Sequence, residues 1–499
     1  MFRSASRFKL FRIGGILLVT TLLLGSWSIR SGSGLHNMAG DAAFRLSVTK
    51  HHIDLDGRVL NYNSTAGYMP VSRAGKPLAN IFYTAYTLGD TKRPVTFVFN
   101  GGPGSSAIWL HMGAFGPVRV VFKNDKGDTL PGGKYSDNPY SWLGFTDLVF
   151  IDPISTGYSR AEEGVEEGQF NNYQEDIRVV GEFIQSYLIA NNREASPKFL
   201  AGESYGAIRA IGLAEYLLDH YKVGLNGITL ISPALNYQMI SFNHGNEVPY
   251  SYYLPAYAVS AQYHQRLSPL LQGLSIAQLR AKVTDFAQGT YTRFLNEGDA
   301  ASPGLTARII DSLHAYTGLP KDLLLRSNGR ITPGSFTRAL LDGAAVTGTF
   351  DSRFTGGDKT VDPSEANLYG PFTNAFNRYI QHDLAYQNNL PYKATTATGN
   401  WNYGPEANNS YLDISEKLKK VMSRNPGLKI NIAAGYYDLA TPVDCTEYVI
   451  RHLGPTAVSR NNISIHYYRS GHMIYVSKEA NAQFKTDSEK FYGDILTKI

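Results

Sequence analysis

Polar and apolar residues alternate from about Phe44 to Leu88, and the stretch HHIDLDGRVLNYN places Asp56-Gly57 between two alternating runs. That pattern predicts a β-hairpin closed by a two-residue turn. Farther along, the alternation gives way to short apolar runs at Val95–Phe99, Leu148–Ile151, Phe199–Ala201 and Gly227–Ile231. These have the length of strands buried on both faces. Between them, Ile177, Val180, Ile184, Tyr187 and Leu188 fall on one face of a helix over 174–190, and 207–221 reads as a second helix. Strands alternating with helices predict an α/β fold with a mostly parallel sheet and right-handed crossovers. The rhythm stops near Asn236. Residues 240–415 hold helical stretches such as Thr306–Leu313 and Phe336–Leu341, separated by Gly, Pro and Asn clusters and without a clear buried strand. It resumes with strands at Lys429–Ala434 and Ile463–Tyr468 and a closing helix at Ala480–Ile495. The expected organisation is a leader at 1–30, a core in two parts at 44–239 and 416–499, and a large helical lid insertion at 240–415.

The 499 residues carry a formal net charge of +5. Arg3, Arg7, Lys9, Arg12 and Arg30 account for all of it, in a stretch without an acid. The rest is formally neutral, so no basic patch argues for nucleic acid. The leader runs from a basic start through apolar Ile13–Leu24 to Gly25, Ser26 and Ser28. This is the order of a secretory signal, and the apolar run is short for a membrane span. Export to a periplasm or the medium is expected, with membrane association only if the leader is retained as an anchor. Cys445 is the single cysteine, which excludes an internal disulfide and a thiolate-rich metal site.

The chemistry begins at Gly202-Glu203-Ser204-Tyr205-Gly206, between an apolar run and a helical pattern. A serine on a sharp strand-to-helix turn needs small residues two positions to either side, and the following helix aims backbone N–H groups at the same spot. Such a pentapeptide also occurs by chance among 48 glycines. Its weight comes from Asp438 and His472, which follow the strands at 429–434 and 463–468 and complete the chain order Ser, Asp, His. Strand ends of a parallel sheet share one edge, where ligands bind. Gly102, in the glycine-rich loop after Val95–Phe99, and Tyr205 are the candidate oxyanion donors. Asp152 and Asp444 compete for the role of the acid; Asp152 precedes the serine, and Asp444 lies beyond Pro442. Cys445 reads as a packing residue.

These blocks resemble the serine carboxypeptidases: NGGPGSS at 100–106, Asn138-Pro139-Tyr140-Ser141-Trp142, Asp152-Pro153 with Gly157-Tyr158-Ser159, GESYG at 202–206, and Gly471-His472-Met473. The resemblance implies an α/β-hydrolase fold and a peptidase needing no metal or organic cofactor. In it Ser204 is the nucleophile, His472 the base, Asp438 its orienter, and the N–H groups of Gly102 and Tyr205 the oxyanion hole. It also implies that Asn100, Gly101 and a protonated Glu203 bind the free carboxylate of a peptide. The chain departs from the pattern at Ala114, where members carry a second glutamate, and at Tyr436, where they often carry Asp. The first departure points to a pH optimum nearer neutrality and leaves Arg209 or Arg119 as candidate charges for the substrate carboxylate. A carboxypeptidase-like acyltransferase or esterase, and a catalytically silent binding protein, are the alternative readings.

Overall fold

Strands form where the apolar runs lie because each is covered on both faces: Val95–Phe99, Asp147–Ile151 and Gly227–Ile231 are buried throughout. The computed structural model describes residues 46–498 apart from 126, 131, 367, 406, 408–410 and 455–460. The leader at 1–30 lies outside the described residues. None of the described helices is long and apolar enough to cross a membrane.

Among the described residues the central sheet has ten strands. Nine run β1 (Ser47–Leu55), β2 (Arg58–Arg73), β3 (Lys76–Thr87), β4 (Val95–Phe99), β5 (Asp147–Ile151), β6 (Lys198–Glu203), β7 (Gly227–Ile231), β8 (Lys429–Gly435) and β9 (Ile463–Tyr468). Their spatial order is β1-β2-β3-β5-β4-β6-β7-β8-β9, and the two-residue Arg160–Ala161 pairs with β3. The first three strands and the β3/β5 pair are antiparallel, and the remaining pairs are parallel. Leu55 pairs with Arg58 across the expected turn, with Asp56 at φ 55° and Gly57 at φ 77°, the left-handed pair a two-residue hairpin requires.

Apolar side chains fill both faces of the sheet. On one side α1 (Tyr173–Ala190) and α2 (Tyr205–Tyr221) bury Ile177, Ile184, Ile208 and Ile211, in a core continuous with the helices that follow β7. On the other, Phe484 and Tyr492 of the long helix Lys478–Leu496 pack on Trp142, which stacks on Phe115.

Between β7 and β8 the described chain adds no strand to the central sheet. Its helix Val248–Tyr263 buries Tyr253 and Tyr257 and packs on Ile276–Phe286 and Pro303–Thr317, so the aromatic run at 250–257 serves as core. This stretch is not wholly helical: Val346–Thr347, which is buried, pairs with Thr355–Gly356. Two-residue strands leave too short an apolar pattern to read from sequence.

Candidate active site

The strands of the parallel part, β4 to β9, end beside one cavity or its supports. Glu203 closes β6, and Ser204 takes φ 61° and ψ −122° before α2 begins at Tyr205. A left-handed serine is strained and persists only where its surroundings impose it. Here the Ser204 N–H donates to Ile231 O at 2.9 Å, tying the turn to β7. A Cβ on Gly202 would stand 2.2 Å from Gly206 O, and one on Gly101 would stand 2.5 Å from Tyr205 N. The turn therefore closes only on glycine, and the loop after β4 lies directly against the amino end of α2.

Asn100, Gly101, Gly102, Glu203, Ser204 and His472 line one cavity of about 580 Å³. His472 Nδ1 lies 2.7 Å from Asp438 Oδ2, and both side chains are almost fully buried. Asp438 Oδ1 accepts from the N–H groups of Ala440 and Thr441 at 2.8 and 2.9 Å. Thr441 Oγ1 sits 2.8 Å from Asp438 Oδ2 and 2.9 Å from Ser232 O. Such packing of donors around a carboxylate fixes its position and that of the imidazole facing it. Burial works against a charged imidazole, but Asp438, Glu203 and Glu365 outweigh it and hold the His472 pKa above the ordinary histidine value.

Asn100 and Glu203 also meet. Asn100 Nδ2 donates to Glu203 Oε1 at 2.9 Å, while Asn100 Oδ1 accepts from Leu110 N at 3.1 Å, which orients the amide. Burial pushes the Glu203 pKa up to about 7, against the opposing pull of His472 and of hydrogen bonds from Tyr475 and Asn100. The carboxyl is thus largely protonated at mildly acidic pH, a form compatible with an anionic ligand.

Several residues lie elsewhere than expected. Arg209 Nε pairs with Asp176 at 2.9 Å and its Nη1 donates to Asn100 O, so its charge is consumed beneath the loop. Arg119 donates to Tyr475 O at 2.8 Å and packs over Tyr140 and Phe122. Neither lines the cavity. Both are support for loops, and the expectation that one meets a substrate carboxylate is corrected. Asp152 accepts from Ala107 N behind the glycine-rich loop, and Asp444 pairs with Arg280 at 3.0 Å. Tyr436 stacks on Tyr467 away from the cavity. Cys445 is buried, with its thiol directed at Met239 O.

Sequence reading named none of the residues that the chain between β7 and β8 brings to the site. Phe350 O accepts from His472 N at 2.6 Å, its ring meets the imidazole edge-on at 4.8 Å, and Asp351 accepts from Gly471 N. Val361, Asp362, Glu365, Leu368 and Tyr369 form one wall of the cavity. No local periodicity marks these positions; only the return of the chain to the sheet edge does.

The family model described as serine carboxypeptidase matches residues 55–486. A serine carboxypeptidase family member from Dictyostelium discoideum is 28% identical over 166 residues, 30% of this chain and 28% of its own length. The chain thus spans little more than a quarter of that relative. Serine carboxypeptidase-like 35 of Arabidopsis thaliana is 23% identical over 407 residues, 79% of this chain and 76% of the relative. Among solved structures, a prohormone-processing carboxypeptidase from Saccharomyces cerevisiae superposes with a TM-score of 0.57 at 16% identity, over 87% of this chain and 91% of that one, a likeness of fold. With the match running from the end of β1 into the last helix, this chain belongs to the serine carboxypeptidase family.

Proposed function

We propose that the protein hydrolyses peptides through an acyl-enzyme and releases their C-terminal residues. The observation that carries the reading is the His472–Asp438 contact of 2.7 Å beside a cavity that also holds the strained Ser204 and the buried carboxyl of Glu203. In this mechanism His472 Nε2 takes the proton of Ser204 Oγ as the oxygen attacks the scissile carbonyl. The N–H groups of Gly102 and Tyr205 stabilise the oxyanion. The imidazolium, held by Asp438, gives its proton to the departing amine, which leaves as the C-terminal residue. Water then attacks the ester by the same route in reverse, with His472 again the base. Asn100, Gly101 and Glu203 bind the free carboxylate of the substrate, Glu203 as the neutral acid. No step calls for a metal or an organic cofactor. The leader supports action outside the cytoplasm, which amino-terminal sequencing of the mature protein from the producing cell would test.

The deciding experiment is turnover of a blocked dipeptide with a free C-terminus, set against its C-terminal amide and against Ser204→Ala. Preference for the free acid, with a loss of about 10⁴ to 10⁶ in kcat in the variant, is expected. Equal turnover of acid and amide would overturn C-terminal trimming, and full activity in the variant would overturn Ser204 as nucleophile.

A further inference from the structure

Glu203 sits in a buried polar group of three side chains, with Asn100 before it in the chain and Tyr475 beyond His472. Tyr475 is fully buried, and its hydroxyl donates to Glu203 Oε1 at 3.3 Å. Its ring has little freedom. A Cβ on Gly113 would stand 2.5 Å from two of its carbons, so the ring occupies space that only glycine leaves open. Its backbone carbonyl is held by Arg119 Nη2. Asn100 Nδ2 is the second donor to Oε1, fixed in that sense because its Oδ1 receives Leu110 N–H. Two donors thus converge on Oε1, and Oε2 is left buried without a partner among the described residues. An unpartnered buried oxygen is costly unless something completes it. When Glu203 is neutral its proton cannot compete for the oxygen that already receives two, so it resides on Oε2, on a residue that lines the cavity.

We propose that Tyr475 is the positioning residue that confines the Glu203 proton to Oε2, so that this side chain presents an O–H donor to the C-terminal carboxylate of a bound peptide. The inference rests on the carboxypeptidase reading above. The groups facing Glu203 are His472, Tyr475 and Asn100, which favour its ionised form, and Asp438, which disfavours it, all against a larger effect of burial. Removing the Tyr475 hydroxyl therefore raises the proton affinity of Glu203 and at the same time frees the proton to sit on either oxygen.

The test compares wild type with Tyr475→Phe on a blocked dipeptide acid and on its C-terminal amide, across pH. The expected result is a KM for the acid raised roughly fivefold to tenfold, the loss of one hydrogen bond to a buried group, well beyond any change on the amide. The alkaline limb of kcat/KM for the acid also moves to higher pH. Gly113→Ala, which displaces the ring while keeping its hydroxyl, gives the same selective loss. Parallel losses on acid and amide without movement of the limb would make Tyr475 a packing residue and overturn the proposal. So would an unchanged ratio of acid to amide in Tyr475→Phe. A wild type without preference for the acid would instead refute the carboxypeptidase reading itself, and the role of Tyr475 with it.

Discussion

Asp152 gives a prediction independent of any substrate. It is 3% exposed at the end of β5. Oδ1 accepts from Ala107 N at 2.9 Å and Tyr392 Oη at 3.2 Å, while Oδ2 has no partner among the described residues. A Cβ on Gly157 would fall 1.7 Å from Oδ2, so the chain passes Oδ2 there without a side chain. Burial pushes the pKa from 3.8 up to about 7, with the hydrogen bonds and the charge of Arg160 opposing it. A group whose folded pKa lies above its unfolded value stabilises the fold at low pH, and that contribution is lost as pH rises through the folded pKa. At about 1.36 kcal/mol per unit, the step from about pH 5.5 to beyond 7 removes about 2 kcal/mol through this one carboxyl. Asp152→Asn keeps the acceptor for Ala107 N–H and cannot ionise. Urea unfolding of both proteins at about pH 5.5 and 8 should show the variant losing about 2 kcal/mol less than wild type between the two conditions. Glu203 and Asp444, also raised by burial, keep part of the slope in both proteins. Identical pH dependence in the two proteins would mean that Asp152 is ionised in the fold, and the reasoning from its burial would be wrong.

Asp438→Asn should lower kcat by about 10⁴ with KM little altered, because an amide in place of the carboxylate would turn the imidazole to the wrong tautomer; steady-state kinetics check it. Glu365→Gln removes one of the carboxylates that hold the His472 pKa up, so the acid limb of kcat/KM should move to lower pH; a limb that stays in place would remove Glu365 from the electrostatics of the site. Cys445 is buried with its thiol pKa well above the ordinary value, so a thiol reagent at neutral pH should leave the native protein unmodified and label one site after denaturation.

The sheet was legible because a strand covered on both faces writes itself as an apolar run, as Val95–Phe99 and Gly227–Ile231 do. The elbow was legible because steric closure demands Gly202 and Gly206, whatever the rest of the fold. Asp438 and His472 each lie within four residues of a strand end, but only the strand before Asp438 is an apolar run covered on both faces; Ile463–Tyr468, before His472, is largely half-exposed. Arg209 could not be read, since its partner Asp176 lies on α1 and only the packing of α1 on α2 joins them. Ala114 read as a missing half of a carboxylate clamp, yet the neighbouring Gly113 makes room for Tyr475, whose hydroxyl reaches Glu203 from a different part of the chain. Phe350 and Asp351 carry no motif, and their grip on the His472 loop exists only once the chain has returned to the sheet.

The pairing of β7 with β8 has a consequence in time. Ser204 and its strained turn are synthesised with the first part of the sheet, whereas Asp438 and His472 arrive with β8 and β9, after the whole intervening helical stretch. Until then the edge of β7 waits without its neighbour, and Ser232, which later bonds His472 O and Thr441, has neither partner. Contacts so distant in sequence form slowly. On the proposed mechanism a nascent chain therefore holds a serine without its base, unable to cut itself or its neighbours, and the price of that safety is a bare strand edge that must be kept from other chains during synthesis.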